Sequence, residues 1–285
     1  MSQKRTRKCH RCKPGTKKIA SINSKWKLPH LFMEISPKHA MPECSPALQN
    51  YHHKKANLHE EVDLGEKYAN RIIFYFAAHQ HKLKNCDIIL HASKAYGDLS
   101  NQGVARTDNK GKVVFSVKCP QGYREEGNTY ISHIHFVVSN KKHTKWIPKM
   151  KAQRVTCHVS HKVMKKTVDR NCAVVLNALP VEYHIKDRIP NSYSLPYQLL
   201  KDEKLSRDEV VSYVKSLIKN YPRLEKSVKN KKLKLMEVPI VVYCYKPSCN
   251  ASEILHDHLI KMGFKNVREY KLGILGWRNK LPKTK

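Results

Sequence analysis

The sequence predicts a multidomain protein: an all-β sandwich followed by an α/β domain with a parallel sheet. Three observations carry this. Between residues 61 and 160 the apolar runs are short, alternating and broken by turn signals. From about residue 165 to 285, apolar strands alternate with segments of helical periodicity. Residues 1–60, in contrast, are rich in Lys, His, Pro and Ser with little periodicity, which reads as a basic, partly disordered extension.

Within the extension, Trp26, Leu28, Leu31, Phe32 and Met33 offer anchors for part of the segment. The β region divides into strands at residues 71–79, 86–92, 112–118 and 131–139, with Asn109-Lys110-Gly111 as a turn. In the α/β region, residues 173–176 read as a short buried strand. Residues 206–219 place Val210, Val211, Val214, Leu217 and Ile218 at helical spacing, and Ser206 with Glu209 forms a capping box. A second buried strand at 238–243 leads through a loop to a helix at 251–262, which Gly263 stops.

The chain of 285 residues is 40% hydrophobic, enough for packed cores. No run reaches membrane-span length, and the first residues lack the apolar core of a secretory signal. The expectation is an intracellular, cytoplasmic protein, not secreted and with no membrane contact. Nine cysteines at irregular spacing suggest no small disulfide framework and fit a reducing compartment. Cys9-His10-x-Cys12 has half the composition of a zinc site, without a second pair at finger spacing. The formal net charge of +32 attracts polyanions and predicts nonspecific, salt-dependent contact with nucleic acid. No helix-turn-helix, zinc finger or stacking motif for sequence readout is present.

Four residues stand out as candidate metal ligands. His133 and His135 lie in an alternating stretch, I-S-H-I-H-F-V-V, where residues two apart share a face. Tyr123 follows a Pro-Gln-Gly turn, and Tyr96 ends the segment C-D-I-I-L-H-A-S-K-A-Y, which reads as a strand. Phenolate is a hard anionic donor suited to Fe(III), while imidazole suits several metals. The ordered motifs I-I-L-H-A-S-K-A-Y, V-A-R-T-D-N-K-G-K-V-V-F, P-Q-G-Y and H-I-H-F resemble the intradiol ring-cleavage dioxygenases from about residue 71 to 157. That resemblance implies a β-sandwich holding non-haem Fe(III) through Tyr96, Tyr123, His133 and His135. It also implies an aromatic diol and O₂ as substrates, with Tyr123 as the ligand displaced. The family's arginine before the His-x-His pair is absent, because Tyr130, Ile131 and Ser132 stand there; Arg106 and Arg124 are the candidate replacements.

A second motif lies further on. The stretch Y-C-Y-K-P-S-C-N-A-S-E-I-L-H-D-H-L resembles the active-site loop of a rhodanese domain, and A-V-V-L-N-A-L-P with R-I-P-N-S-Y resembles that family's opening strand and turn. L-G-I-L-G-W resembles its closing motif, so the likeness spans about residues 167–281. It implies Cys244 as a persulfide-forming nucleophile, with Cys249 as a resolving or alternative thiol; a Cys244–Cys249 redox pair is equally open. A thiol or persulfide donor is the implied partner. Asn177 and Leu179 replace the usual Asp and Arg, while Arg188 and Asn191 replace the turn's His and Gly.

The leading expectation is an Fe(III) dioxygenase with an appended sulfur-transfer or thiol-redox domain. The alternative is a basic packaging protein, as in a large DNA virus particle, that binds nucleic acid and keeps both folds as inactive scaffolds.

Overall fold

A computed structural model describes residues 52–80, 88–97, 100–144, 146, 147 and 150–279. The Cys9–Cys12 cluster and the apolar anchors at 26–33 lie outside these residues. The described residues form two compact units, one containing 52–80 and 89–155, the other containing Ile88 and 156–279.

The first unit is rich in β-structure and is built from three sheets. Four antiparallel strands order as β4 (Gln102–Arg106), β2 (Ile72–Ala77), β8 (His133–Val138) and β9 (Lys151–Arg154). The central strands β2 and β8 are buried along their whole length, so their apolar runs are continuous. A second sheet pairs β1 (Leu58–Asp63) with β5 (Lys112–Val117). It packs on the first through Phe115, whose ring lies 4.7 Å from Tyr75 and 5.2 Å from Phe136. The third sheet joins β3 (Ile89–Leu90), β6 (Tyr123–Glu125) and β7 (Asn128–Tyr130).

The turn between β4 and β5 forms as the sequence predicts. Asp108 accepts backbone N–H groups from Lys110 and Lys112, and Gly111 takes φ 85°, where an added Cβ would lie 2.1 Å from the Gly65 carbonyl oxygen. One expectation fails. The segment before Tyr96 is no long strand: β3 has two residues, and Ala92–Tyr96 is a short helix, α1. The reason is local. His91 has φ 73°, which breaks the extended run. The buried Glu125 carboxylate then accepts the Ala92 N–H at 2.7 Å, replacing a helix cap.

The second unit is α/β. Its sheet orders β11 (Ser192–Ser194), β10 (Val174–Asn177), β12 (Ile240–Tyr243) and β13 (Val267–Tyr270), all parallel. Alternation sends Val174, Leu176, Ile240 and Val242 into a core with Val210, Val214, Leu217 and Leu255. Val175, Val241 and Tyr243 enter a second core with Met164, Val168 and Ile274. Helices cover both faces, as a parallel sheet requires. They are α2 (His161–Arg170), α3 (Val181–Lys186), α4 (Tyr197–Lys201), α5 (Arg207–Ile218), α6 (Pro222–Lys229), α7 (Ala251–Lys261) and α8 (Gly273–Trp277). The capping box forms at α5, where Ser206 accepts from the Glu209 N–H and Glu209 accepts from the Ser206 N–H.

The cysteines depart from expectation. Cys119, Cys157 and Cys172 are disulfide-bonded, whereas Cys244 and Cys249 are free thiols. Spacing along the chain conceals pairings that only folding creates. Among the described residues, no helix is long and apolar enough to cross a membrane.

Candidate functional sites

Two constellations emerge, one in each unit. In the first, α1 delivers Tyr96, the start of β6 delivers Tyr123, and β8 delivers His133 and His135 to one face. Their polar atoms converge. The Tyr96 hydroxyl lies 3.1 Å from His133 Nε2 and 3.5 Å from the Tyr123 hydroxyl. His133 Nε2 lies 2.8 Å from His135 Nε2. His133 Nδ1 is 2.6 Å from the Ile131 carbonyl oxygen. A carbonyl only accepts, so the ring proton sits on Nδ1 and leaves a lone pair on Nε2 facing the cluster.

The surroundings are apolar. Phe76 stacks on His135 at 5.4 Å and meets Tyr96 edge-on at 5.7 Å. Burial lowers the pKa of both histidines, with His133 adding to the effect on His135. Both imidazoles are therefore neutral near pH 7 and available as ligands. Burial also pushes both phenols above their ordinary range, so ionising them here needs a neighbouring cation. Among the described residues no group of three His, Cys, Asp or Glu forms a metal cluster; the donors assemble only with the tyrosines included.

Neither candidate arginine completes this site. Arg106 lies opposite Ile72, whereas His135 lies opposite Phe76 at the other end of β2, and the Arg106 guanidinium donates to the Asn70 carbonyl and contacts His143. Arg124 follows Tyr123 on β6, and alternation turns it to the opposite face. Sequence reasoning missed Glu125. It shares a face with Tyr123 and fixes the start of α1, and only the fold reveals that link.

In the second unit, Cys244 follows β12 directly. The chain leaves β10 for β11 on one side and returns to β12 on the other, so the loop sits at the switch point of the sheet, where its crevice opens. Cys244 is buried and Cys249 is partly exposed, one residue before the N-cap of α7. Cys244 Sγ lies 3.5 Å from the Cys249 carbonyl oxygen and 3.6 Å from that of Lys246. Cys244 therefore donates its thiol proton to main-chain carbonyls of the loop. The neighbouring Cys244 thiol lowers Cys249 to about 6, helped by the N–H groups of Ala251 and Tyr245 and by Lys271. The neighbouring Cys249 thiol, together with burial, pushes Cys244 up.

The loop is braced from behind. The Ile274 and Leu275 N–H groups donate to the Cys244 and Tyr245 carbonyls. Gly273 has φ 63°, and a Cβ there would lie 2.6 Å from the Tyr245 backbone. The departures noted in the opening turn are accommodated. Asn177 accepts the Leu179 N–H at 3.0 Å, and Asn191 adopts φ 57°, a conformation Asn tolerates in place of Gly. Arg188 is exposed.

Comparison with known proteins bears on this second unit. A family model described as a rhodanese-like domain matches residues 160–280, which leaves residues 52–155 outside it. Human single-domain sulfurtransferase TSTD1 is 15% identical, covering 45% of this chain and 100% of that one, with a TM-score of 0.32. The BH2092 protein of Bacillus halodurans is 20% identical, covering 44% and 73%, with a TM-score of 0.31. A rhodanese-related protein of Thermoplasma volcanium is 16% identical, covering 44% and 92%, with a TM-score of 0.28. No curated protein matches.

Proposed function

We propose that residues 160–280, a rhodanese-like domain, carry out sulfane-sulfur transfer at the Cys244–Cys249 loop. The observation that carries this reading is a pair of free thiols at the switch point of a parallel sheet, beside the N-terminus of α7. Sequence alone favours Cys244 as the nucleophile; exposure and its lowered pKa favour Cys249. As a thiolate it attacks the outer sulfur of a donor such as thiosulfate, forms an S–S bond and expels sulfite. The Ala251 and Tyr245 N–H groups hold the charge before attack. The test is thiocyanate formation from thiosulfate and cyanide. Activity abolished by Cys249→Ser supports the reading; turnover unaffected by that change overturns the assignment.

A second reading concerns the first unit and rests on the convergence of Tyr96, Tyr123, His133 and His135. Two phenols and two neutral imidazoles fit a hard trivalent cation, and we infer that they bind Fe(III). When bound, the ion supplies Lewis acidity and a template that makes an aromatic diol receptive to O₂. The chain's own residues do the rest. Tyr96 and Tyr123 each release a proton from the hydroxyl on binding. His133 keeps its Nδ1 proton on the Ile131 carbonyl and presents Nε2. Phe76 excludes water behind His135, while half-exposed Tyr130 stacks on Tyr123 at 5.1 Å on the solvent side. Iron content and the visible spectrum with and without a catechol test this reading. A tyrosinate charge-transfer band that shifts with catechol supports it, and colourless protein that cannot be reconstituted with iron overturns it.

A further inference from the structure

Away from both sites, the second unit carries a dense cationic surface. From residue 215 to 234 the chain holds eight Lys and Arg residues and a single acid, Glu225. All eight cations are exposed, and the packing explains why. On α5, Leu217 and Ile218 enter the core, which leaves Lys215 and Lys219, one turn apart, facing solvent. On α6, Leu224 is buried while Arg223, Lys226 and Lys229 stay outside. Tyr221 fixes the corner between the two helices, because it is buried and its hydroxyl donates to the Asn191 carbonyl. After α6 the chain reverses at Lys231, which has φ 56°, and the N–H groups of Lys232 and Leu233 both donate to the Ser227 carbonyl. Leu233 is buried, so this turn displays its lysines from a built corner. Glu225 pairs with Lys229 at 2.8 Å and offsets one charge of the eight.

We propose that this corner is a binding site for duplex nucleic acid, which holds the phosphate backbone without reading the sequence. Charge sets the class of partner, since such a field attracts polyanions in proportion to their charge density. Side-chain chemistry narrows it. None of the large hydrophobic residues exposed among the described residues lies between 215 and 234. The surface therefore lacks the apolar face with which a cationic helix enters lipid, and the aromatic anchors of a protein interface. It also lacks the rings on which unpaired bases stack. Contact with phosphates alone remains, and a duplex presents about one charge per 1.7 Å of its axis. The site is separate from the thiol loop: Leu235–Glu237 carries the chain from the corner into the start of β12, whereas Cys244 follows the end of that strand. Duplex binding thus stands independently of the sulfur-transfer reading.

The test is fluorescence anisotropy of the full chain with short DNA duplexes of several sequences, repeated over a series of salt concentrations. One variant replaces Lys219, Arg223, Lys226 and Lys231 with Gln. A matched control replaces Lys162, Lys165, Lys166 and Arg170 with Gln; these are exposed on α2, whose buried residues pack on the opposite face of the same sheet. Both lose four positive charges, so overall charge alone predicts equal effects. The expected result is that the slope of log affinity against log salt falls by about one for each corner residue removed, and that the control changes it by less than about one in total. Wild-type affinity should not differ among the sequences. Thermal melts check folding; where the corner variant does not fold, Lys219→Gln and Lys226→Gln alone should each lower the slope by about one. Equal losses from the corner and control variants, or wild-type protein without salt-dependent binding, overturn the proposal. So does a corner variant that keeps the duplex but no longer binds vesicles of phosphatidylserine and phosphatidylcholine, which would assign the surface to lipid.

Discussion

The Tyr96 hydroxyl lies 3.1 Å from His133 Nε2 across 37 residues of chain. That contact joins the end of a five-residue helix to the first residue of a central strand. The Nε2 atoms of His133 and His135, only 2.8 Å apart, complete the cluster, and with both imidazoles presenting lone pairs a cation satisfies all four donors at once, which a single proton does not. Iron titration should therefore saturate at one ion per chain. At a free concentration a hundred times the dissociation constant, binding should add about 2.7 kcal/mol to stability. Tyr96→Phe and His133→Ala should each remove the charge-transfer band and the stabilisation. Calorimetry and visible absorption read both; an unchanged melting profile with excess ferric ion counts against the site.

Glu125 should matter to that centre without touching it. Its carboxylate holds the Ala92 N–H at 2.7 Å and so sets the start of the helix that ends in Tyr96. Glu125→Ala leaves a buried N–H unpaired, at about 1–3 kcal/mol. Iron affinity should fall about tenfold, in the range typical of outer supporting residues. Glu125→Gln retains a carbonyl acceptor and should recover most of the loss. Equal effects from the two variants would show that the charge, not the position of α1, is what the site needs.

The two sites were unequally legible in the sequence. Ser206 with Glu209 announced the start of α5 because a capping box is local chemistry written four residues wide. The pairing of His133 with His135 followed from strand alternation, again a local rule. Tyr96 was named, but on the wrong element, since the helix that follows the break at His91 starts on Glu125, which is 33 residues from Ala92 in the chain. The hydrogen bond from Ser252 to Glu269 was invisible for the same reason: α7 and β13 meet only after folding. The disulfides at Cys119, Cys157 and Cys172 likewise left no trace in the spacing.

Gly273 tests how rigid the thiol loop must be. An alanine there combines a left-handed φ of 63° with a Cβ 2.6 Å from the Tyr245 backbone and 2.7 Å from the Cys244 carbonyl oxygen. The neighbours are main chain and yield only by moving the loop. Gly273→Ala should cost about 2 kcal/mol or more and displace Cys244 from Cys249. Thermal melts should show the destabilisation, and thiocyanate formation should fall further than the folded fraction does. A variant with native stability would mean that the loop tolerates the shift.

The thiol pair also makes a pH prediction with a definite sign. The Cys244 thiol beside it holds Cys249 at about 6, below the ordinary thiol range. Alkylation of Cys249 by iodoacetamide should thus rise through pH 6 and level off above pH 7. In Cys244→Ala the neighbouring thiol is gone, and the midpoint should climb toward the ordinary thiol value of about 8.5. At pH 7 that shift cuts the thiolate fraction severalfold or more, and alkylation should slow accordingly. Linkage adds a second readout. Because the folded value for Cys249 lies below the unfolded one, its stabilising contribution is full above about pH 8.5 and disappears as pH falls through about 6. Between those limits the unfolded chain binds more protons at this site, so the site's contribution to stability should increase with pH, and Cys249→Ser should flatten that slope. Peptide mapping assigns the alkylated residue and denaturant melts give the slope; a midpoint that stays near pH 6 in Cys244→Ala would place the stabilising donor in the α7 backbone instead.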